Sequence, residues 1–235
     1  MRLSQEWLLT LLLLALYLHD AVTFTGADTA FLVRSPWTGW VARFPTARFT
    51  LAHRHVFLPP LFPPATPVFS LRWTEGGAQV ADRRVEDIAA TLGTVSLASA
   101  LCFVAVLALT PLVLLTGQST FVILFTMAIA YLTVVGCVLA LWGVRRRLDL
   151  PRAACIKLTA EMLLCPPVAA NLTRRITQPM RLGEAFIPAA RRLLGERAWE
   201  QAREDLHARV QVRFEEVQPG SPAHRELELL EAQLR

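Results

Sequence analysis

From Ile88 to Val144 the chain runs for 57 residues without one Asp, Glu, Lys, Arg or His. A helix needs roughly 20 apolar residues to cross a bilayer. At about 1.5 Å per residue this run would make a rod of roughly 85 Å, nearly three hydrocarbon cores long. It therefore folds back once. The polar stretch Thr116-Gly117-Gln118-Ser119-Thr120 is the one place suited to the turn, because glycine supplies turn conformations and polar side chains tolerate the headgroup region. The reading is a transmembrane helical hairpin with spans at about 88–115 and 121–144. A surface helix of a soluble protein shows a polar face, and neither half has one.

Small residues recur at helical spacing in both spans: Thr91, Thr94, Ala98, Cys102 and Ala105 in the first, Thr126, Ala130, Thr133, Gly136, Ala140 and Gly143 in the second. Such stripes let membrane helices approach closely, because lipid gives apolar faces no drive to associate. The two stripes are expected to face each other inside the hairpin; a homo-oligomer seam is the alternative. Pro111 falls in the last turn before the tip, where a kink is easily accommodated.

Trp7–Leu18 is a second apolar run, extendable past His19 and Asp20 to Phe24. Its length suits a short span, an interfacial helix or a signal-peptide core. Charge decides between them. Arg145, Arg146, Arg147 and Arg152 follow the second span, so the positive-inside rule places the tail in the cytoplasm. The hairpin returns its other end to the same side, which suits the seven arginines of 25–87. A cleaved signal ending near Ala27 would put the arginine triplet on the wrong face. Residues 7–24 are therefore read as a short span with the N-terminus outside, in preference to an interfacial helix. His19 and Asp20 are read as interfacial anchors rather than a proton relay.

Between these parts the pattern changes to strand period. Thr29–Arg34, Gly39–Phe44, Arg48–Ala52, His55–Leu58 and Val68–Trp73 are short runs rich in Val, Phe, Trp and Thr, separated by Ser35-Pro36, Pro45-Thr46 and the Pro59–Pro67 stretch. They predict a small antiparallel meander. His53 and His55 would share one strand face, but no Cys, Asp or Glu lies near in sequence to complete a metal site, so they are read as surface histidines.

In the tail, residues 145–181 carry eight basic against two acidic residues, and 182–235 carry eight against ten. The basic excess lies beside the membrane, where each Lys or Arg gains about 1 kcal/mol from anionic lipid; Arg145, Arg146 and Arg147 are expected to meet anionic headgroups. Asp149 and Pro151 are expected to open a helix to about Leu164, which Cys165-Pro166-Pro167 breaks; a second short helix follows to about Ile176. The Cys165–Asn171 stretch is a candidate binding or catalytic turn. The plainer reading is a break that steers the chain along the membrane surface with Cys165 packed underneath. Further helices are predicted at Ala185–Leu194, along the stripe Trp199, Ala202, Leu206, Val210, Phe214 and Val217, and after Ser221-Pro222 with Leu227, Leu230 and Leu234 on one face.

The fold class is thus a mostly α membrane protein, with four parts: an N-terminal apolar helix (1–24), a small cytoplasmic β segment with a Pro-rich loop (25–82), the hairpin (83–144) and a cytoplasmic basic and helical tail (145–235). The single lysine against 23 arginines points to a GC-rich bacterial genome, hence an inner membrane, with Gln118 periplasmic and the C-terminus cytoplasmic. The net charge of +5 is mild and not gathered into a nucleic-acid stripe. No Walker loop, dinucleotide fingerprint, HExxH, GxSxG or kinase set is present, and no cofactor or zinc spacing of Cys102, Cys137, Cys155 and Cys165. The preferred function is a non-enzymatic membrane-anchored interaction or accessory protein. The alternatives are a lipid-acting enzyme with its site between the β segment and the 165–171 turn, or a subunit of an oligomeric channel or transporter.

Overall fold

The computed structural model describes residues 4–35, 39–45, 50–51, 54–59, 65–74, 84–180, 182 and 184–234. Contacts divide the chain into two compact units. The first takes residues 1–23, 58–67 and 86–178; the second takes 24–57, 68–85 and 179–235.

The first unit is helical because its sequence is rich in straight-chain and small apolar residues and poor in interior breakers. Helix α1 (Gln5–Ala21) is the leucine-rich N-terminal run. Helices α2 (Val85–Thr91) and α3 (Gly93–Phe103) are interrupted only at Leu92. A π-helical turn, Val104–Leu109, then leads into α4 (Thr110–Leu115), with Pro111 at its start. Proline cannot donate to the helix and its ring crowds the preceding turn. The wider π turn before it relieves that crowding, and Ala105 O accepts both the N–H and, at 2.8 Å, the hydroxyl of Thr110. The expected turn follows, with Gly117 at φ +63°. Helix α5 (Thr120–Val144) then returns against α3 and α4.

Gly93–Leu115 and Thr120–Val144 are both long and apolar enough to cross a membrane. The buried seam follows the small-residue stripes in part, with Cys102, Ala105, Thr126 and Ala130 common to both. It runs through Val95, Ser99, Cys102, Val106 and Val113 on one side and Thr126, Ala130, Val134, Cys137 and Leu141 on the other. Thr94 and Gly143 face outward. Bulkier Val and Leu share the seam because their volume fills the space the small side chains leave.

After α5 the chain turns at Arg145–Leu150, where Asp149 takes φ +49°. Helix α6 (Arg152–Leu164) has Pro151, not Asp149, as its N-cap residue. Asp149 in the left-handed region serves the turn instead. The break at Cys165 is where expected, but the next helix is divided at Asn171 into α7 (Pro166–Ala170) and α8 (Leu172–Thr177).

The second unit contains two three-stranded sheets. Strands β1 (Thr23–Thr25), β2 (Thr29–Ser35), β3 (Gly39–Arg43), β4 (Thr50–Leu51), β5 (Arg54–Phe57) and β6 (Val68–Arg72) are arranged as β3-β2-β6 and β1-β5-β4. The expected antiparallel hairpin β2–β3 is present, with Val33 opposite Val41. A simple meander is not: β6 returns to the other side of β2, with Val33 opposite Val68. Composition explains the difference. Ala30, Phe31, Leu32 and Val33 are all buried, so β2 is covered on both faces and takes the centre. Phe31 stacks on Phe57 at 3.7 Å, and Val33 and Val68 join them in one core. His53, the Pro60–Pro64 part of the proline-rich loop and Asp82–Arg83 lie outside the described residues.

Helices α9 (Phe186–Leu193), α10 (Glu196–Glu216) and α11 (Pro222–Leu234) complete this unit. The α10 stripe is helical from Trp199 to Phe214, and Val217 is the extended residue that follows the helix. Gly220 at φ +81° makes the turn, and Ser221 Oγ caps α11 by accepting from the His224 N–H at 3.2 Å. Arg209 donates to Pro45 O at 3.0 Å and lies 5.0 Å from the Phe44 ring. Burial lowers its pKa, opposed by Asp205.

Two substitutions check this account. Phe31→Ala should cost about 3–5 kcal/mol, the range for emptying an aromatic site in a core, and Ser221→Ala about 1 kcal/mol. Hydrogen exchange of the β2 and α11 amides reads both; unchanged protection in β2 on Phe31→Ala would contradict the central-strand assignment.

Candidate functional site: a buried polar cluster

The strongest gathering of polar groups joins α1, α6 and α8 in the first unit. Helix α8 reads Leu-Thr-Arg-Arg-Ile-Thr, and all of it except Arg175 is buried. A polar helix can be enclosed only if its groups find partners. They do. Asn171 Nδ2 donates to Tyr17 O at 3.1 Å, in the last turn of α1, and Asn171 Oδ1 accepts from Arg174 Nη1 at 3.2 Å. The Arg174 guanidinium also interacts with the Tyr17 hydroxyl. Thr173 Oγ1 lies 3.4 Å from Ser96 Oγ, and Thr177 Oγ1 donates back to Thr173 O at 3.1 Å.

Arg175 carries the ionic part. Its Nε donates to Asp20 Oδ1 at 2.7 Å, and its Nη1 is paired with Glu161. A carboxylate in the last turn of α1 opposes the helix dipole, so Asp20 needs this cation. The interfacial role expected for Asp20 is thus a buried ion pair: its side chain is 7% exposed. His19 is exposed. Two carboxylates and two guanidiniums balance, and each is directed at a neighbouring helix. The arrangement can hold three helices in register. It does not present an acid and a base to a shared cleft.

Of the residues weighed in the sequence, Asn171 sits at the centre of this cluster and Cys165 only caps α7. His55 lies on β5, in the other unit. Arg174 and Arg175 read in the sequence as two more juxtamembrane cations. The missed signal is that they follow Asn171 at three and four residues, between the apolar pair Leu172 and Ile176. Cys102 and Cys137 are buried, and their thiols point to Pro166 O at 3.8 Å and Ala169 O at 3.9 Å. Among the described residues no group of three His, Cys, Asp or Glu is placed to hold a metal.

The second unit has a cavity of about 230 Å³ beside Asp28, Arg213, Glu226 and Leu230. That is below the roughly 300–1,000 Å³ of small-molecule pockets. Asp28 is paired there with Arg72 at 2.8 Å, and Arg213 with Glu216 at 2.5 Å. No protein-family model, curated protein or solved structure matches the chain.

The bridge predicts non-additive stability. Arg175→Ala should lower the melting temperature of the detergent-solubilised protein, because breaking a buried pair leaves a charge uncompensated; partial exposure of Arg175 reduces the cost to about 1–3 kcal/mol. Adding Asp20→Asn should recover part of that loss. Strictly additive losses in this double-mutant cycle would show that the pair does not couple.

Proposed function

We propose that this chain is an integral membrane protein without catalysis of its own, which holds its second unit at the cytoplasmic face as a docking part for a partner. The observation that carries the reading is the use of these charges: Asp20, Glu161 and Arg175 bind one another across three helices. An enzyme would leave such groups facing a cleft.

The membrane placement has separate support. Only 28% and 22% of the two long apolar helices is buried, whereas a core helix of a soluble protein would be mostly enclosed. Leu97, Leu101, Phe121, Leu124, Leu132 and Leu139 point outward, more apolar surface than soluble monomers ordinarily expose. Helix α1 packs on α4, the π turn and α7, so it runs along the first long helix with its N-terminus toward the tip. Its outward Leu8, Leu9, Leu11 and Leu12 suit a third crossing. At about 25 Å it is slightly short for a bilayer core, a mismatch met by local thinning. Trp142, with Arg145 5.8 Å from its ring, suits the cytoplasmic interface.

A reporter fused after Arg235 should read cytoplasmic and one placed near Gln118 periplasmic; the opposite pair overturns the orientation. Replacing Arg145, Arg146 and Arg147 together by Gln should give mixed orientation in the same assay, because the bias of positive charge sets topology. Turnover of a substrate by the purified protein, lost on Cys165→Ala or Asn171→Ala, would overturn the non-catalytic reading.

A further inference from the structure

The path of the chain after α5 carries one more step. Helix α6 does not lead away from the hairpin. It packs on α5, and Thr159 Oγ1 accepts from Trp142 Nε1 at 3.2 Å. The break after Leu164 then meets Cys102 and Cys137 through Pro166 and Ala169. Cys102 is nine residues beyond Gly93 and Cys137 seven before Val144. At helical rise these contacts lie about 10–14 Å inside the ends of the long helices. Helix α8 comes back out: Thr173 is beside Ser96, about 5 Å inside that end, and Gln178 beside Thr23 past the end of α1.

We propose that Arg152–Thr177 is a re-entrant helix–break–helix, which enters the bilayer from the cytoplasmic side, turns at Cys165-Pro166 and leaves on the same side with α6 against lipid acyl chains. It rests on the membrane reading given above. The later half of α6 turns apolar residues outward: Leu164 is 85% exposed, and Ile156 and Leu163 are exposed as well. Its inward face, Cys155 and Met162, is fully buried. Of its charges, Glu161 is paired with Arg175, and Lys157, near the entry, lies 3.9 Å from the same Glu161 carboxylate.

Broken backbone is tolerated at membrane depth only where protein covers it. Here the residues after the break are covered, and at the half-buried break the Cys165 N–H and C=O are bonded within the chain. Pro167, Val168, Ala169 and Ala170 are all buried among α1, α3 and α5. Two prolines at the turn bring no N–H to be satisfied. The Val168 N–H donates to Cys165 O at 2.9 Å, and the two cysteine thiols reach the carbonyls of Pro166 and Ala169.

The test uses the full chain in phosphatidylcholine vesicles that contain a phospholipid with a diazirine midway along one acyl chain. After irradiation, adducts are mapped by mass spectrometry. Adducts on both Ile156–Leu164 and the outward face of α5, several-fold above those on the Gln218–Gly220 turn, are expected. Adducts on α5 with none on Ile156–Leu164 would overturn the re-entrant path and leave the membrane reading standing. Adducts on neither would overturn both.

Discussion

The five-residue helix Pro166–Ala170 is the piece on which the first unit is assembled. It touches α1, α3, α5 and α6, and it can do so because its outer surface is built from proline, valine and alanine. Ala169 and Ala170 are fully buried and bring backbone against backbone. In an apolar surround, where hydrophobic association is absent, such close approach supplies dispersion contact and lets weak polar contacts form. The thiols of Cys102 and Cys137 make theirs here, to the carbonyls of Pro166 and Ala169.

The ionic bridge complements this packing. Arg175 joins Asp20 on α1 to Glu161 on α6, while Asn171 and Arg174 hold the end of α1 from the inner side. Replacing a buried pair by well-packed apolar groups often costs nothing in stability. What the charges add is register: a slide of α1 by one turn would separate Asp20 from Arg175 by about 5.4 Å. Packing fixes how close the helices come, and the bridge fixes where along their length they stop.

Much of this was legible in the residues themselves. The hairpin tip, the α10–α11 turn and the Ser221 cap follow from local rules that act within a few positions, and the strands at Thr29 and Val68 from short β-branched and aromatic runs. The pairing of β6 with β2 was not, because alternation describes one strand and not its neighbour. Neither was the cluster. Asp20 and Arg175 are separated by 155 positions, and nothing local in either sequence names the other. Arginines near a membrane read equally well as headgroup contacts. Only the return of α6 to α5 brings Arg175 within reach of its carboxylates.

The π turn at Val104–Leu109 leaves a trace in the numbering of the helix faces. It fits one residue more into a turn than an α-helix does, so everything beyond it is rotated by roughly 100° relative to a uniform helical count. Alignment of the Gly93–Phe103 half with the Thr110–Leu115 half by a single period therefore misassigns which side chains face α5. In an evolutionary comparison the same turn would read as a one-residue insertion. Removing a residue there would restore an ordinary helix locally, whereas removing one anywhere else in the span would rotate half of its surface out of phase with its partner.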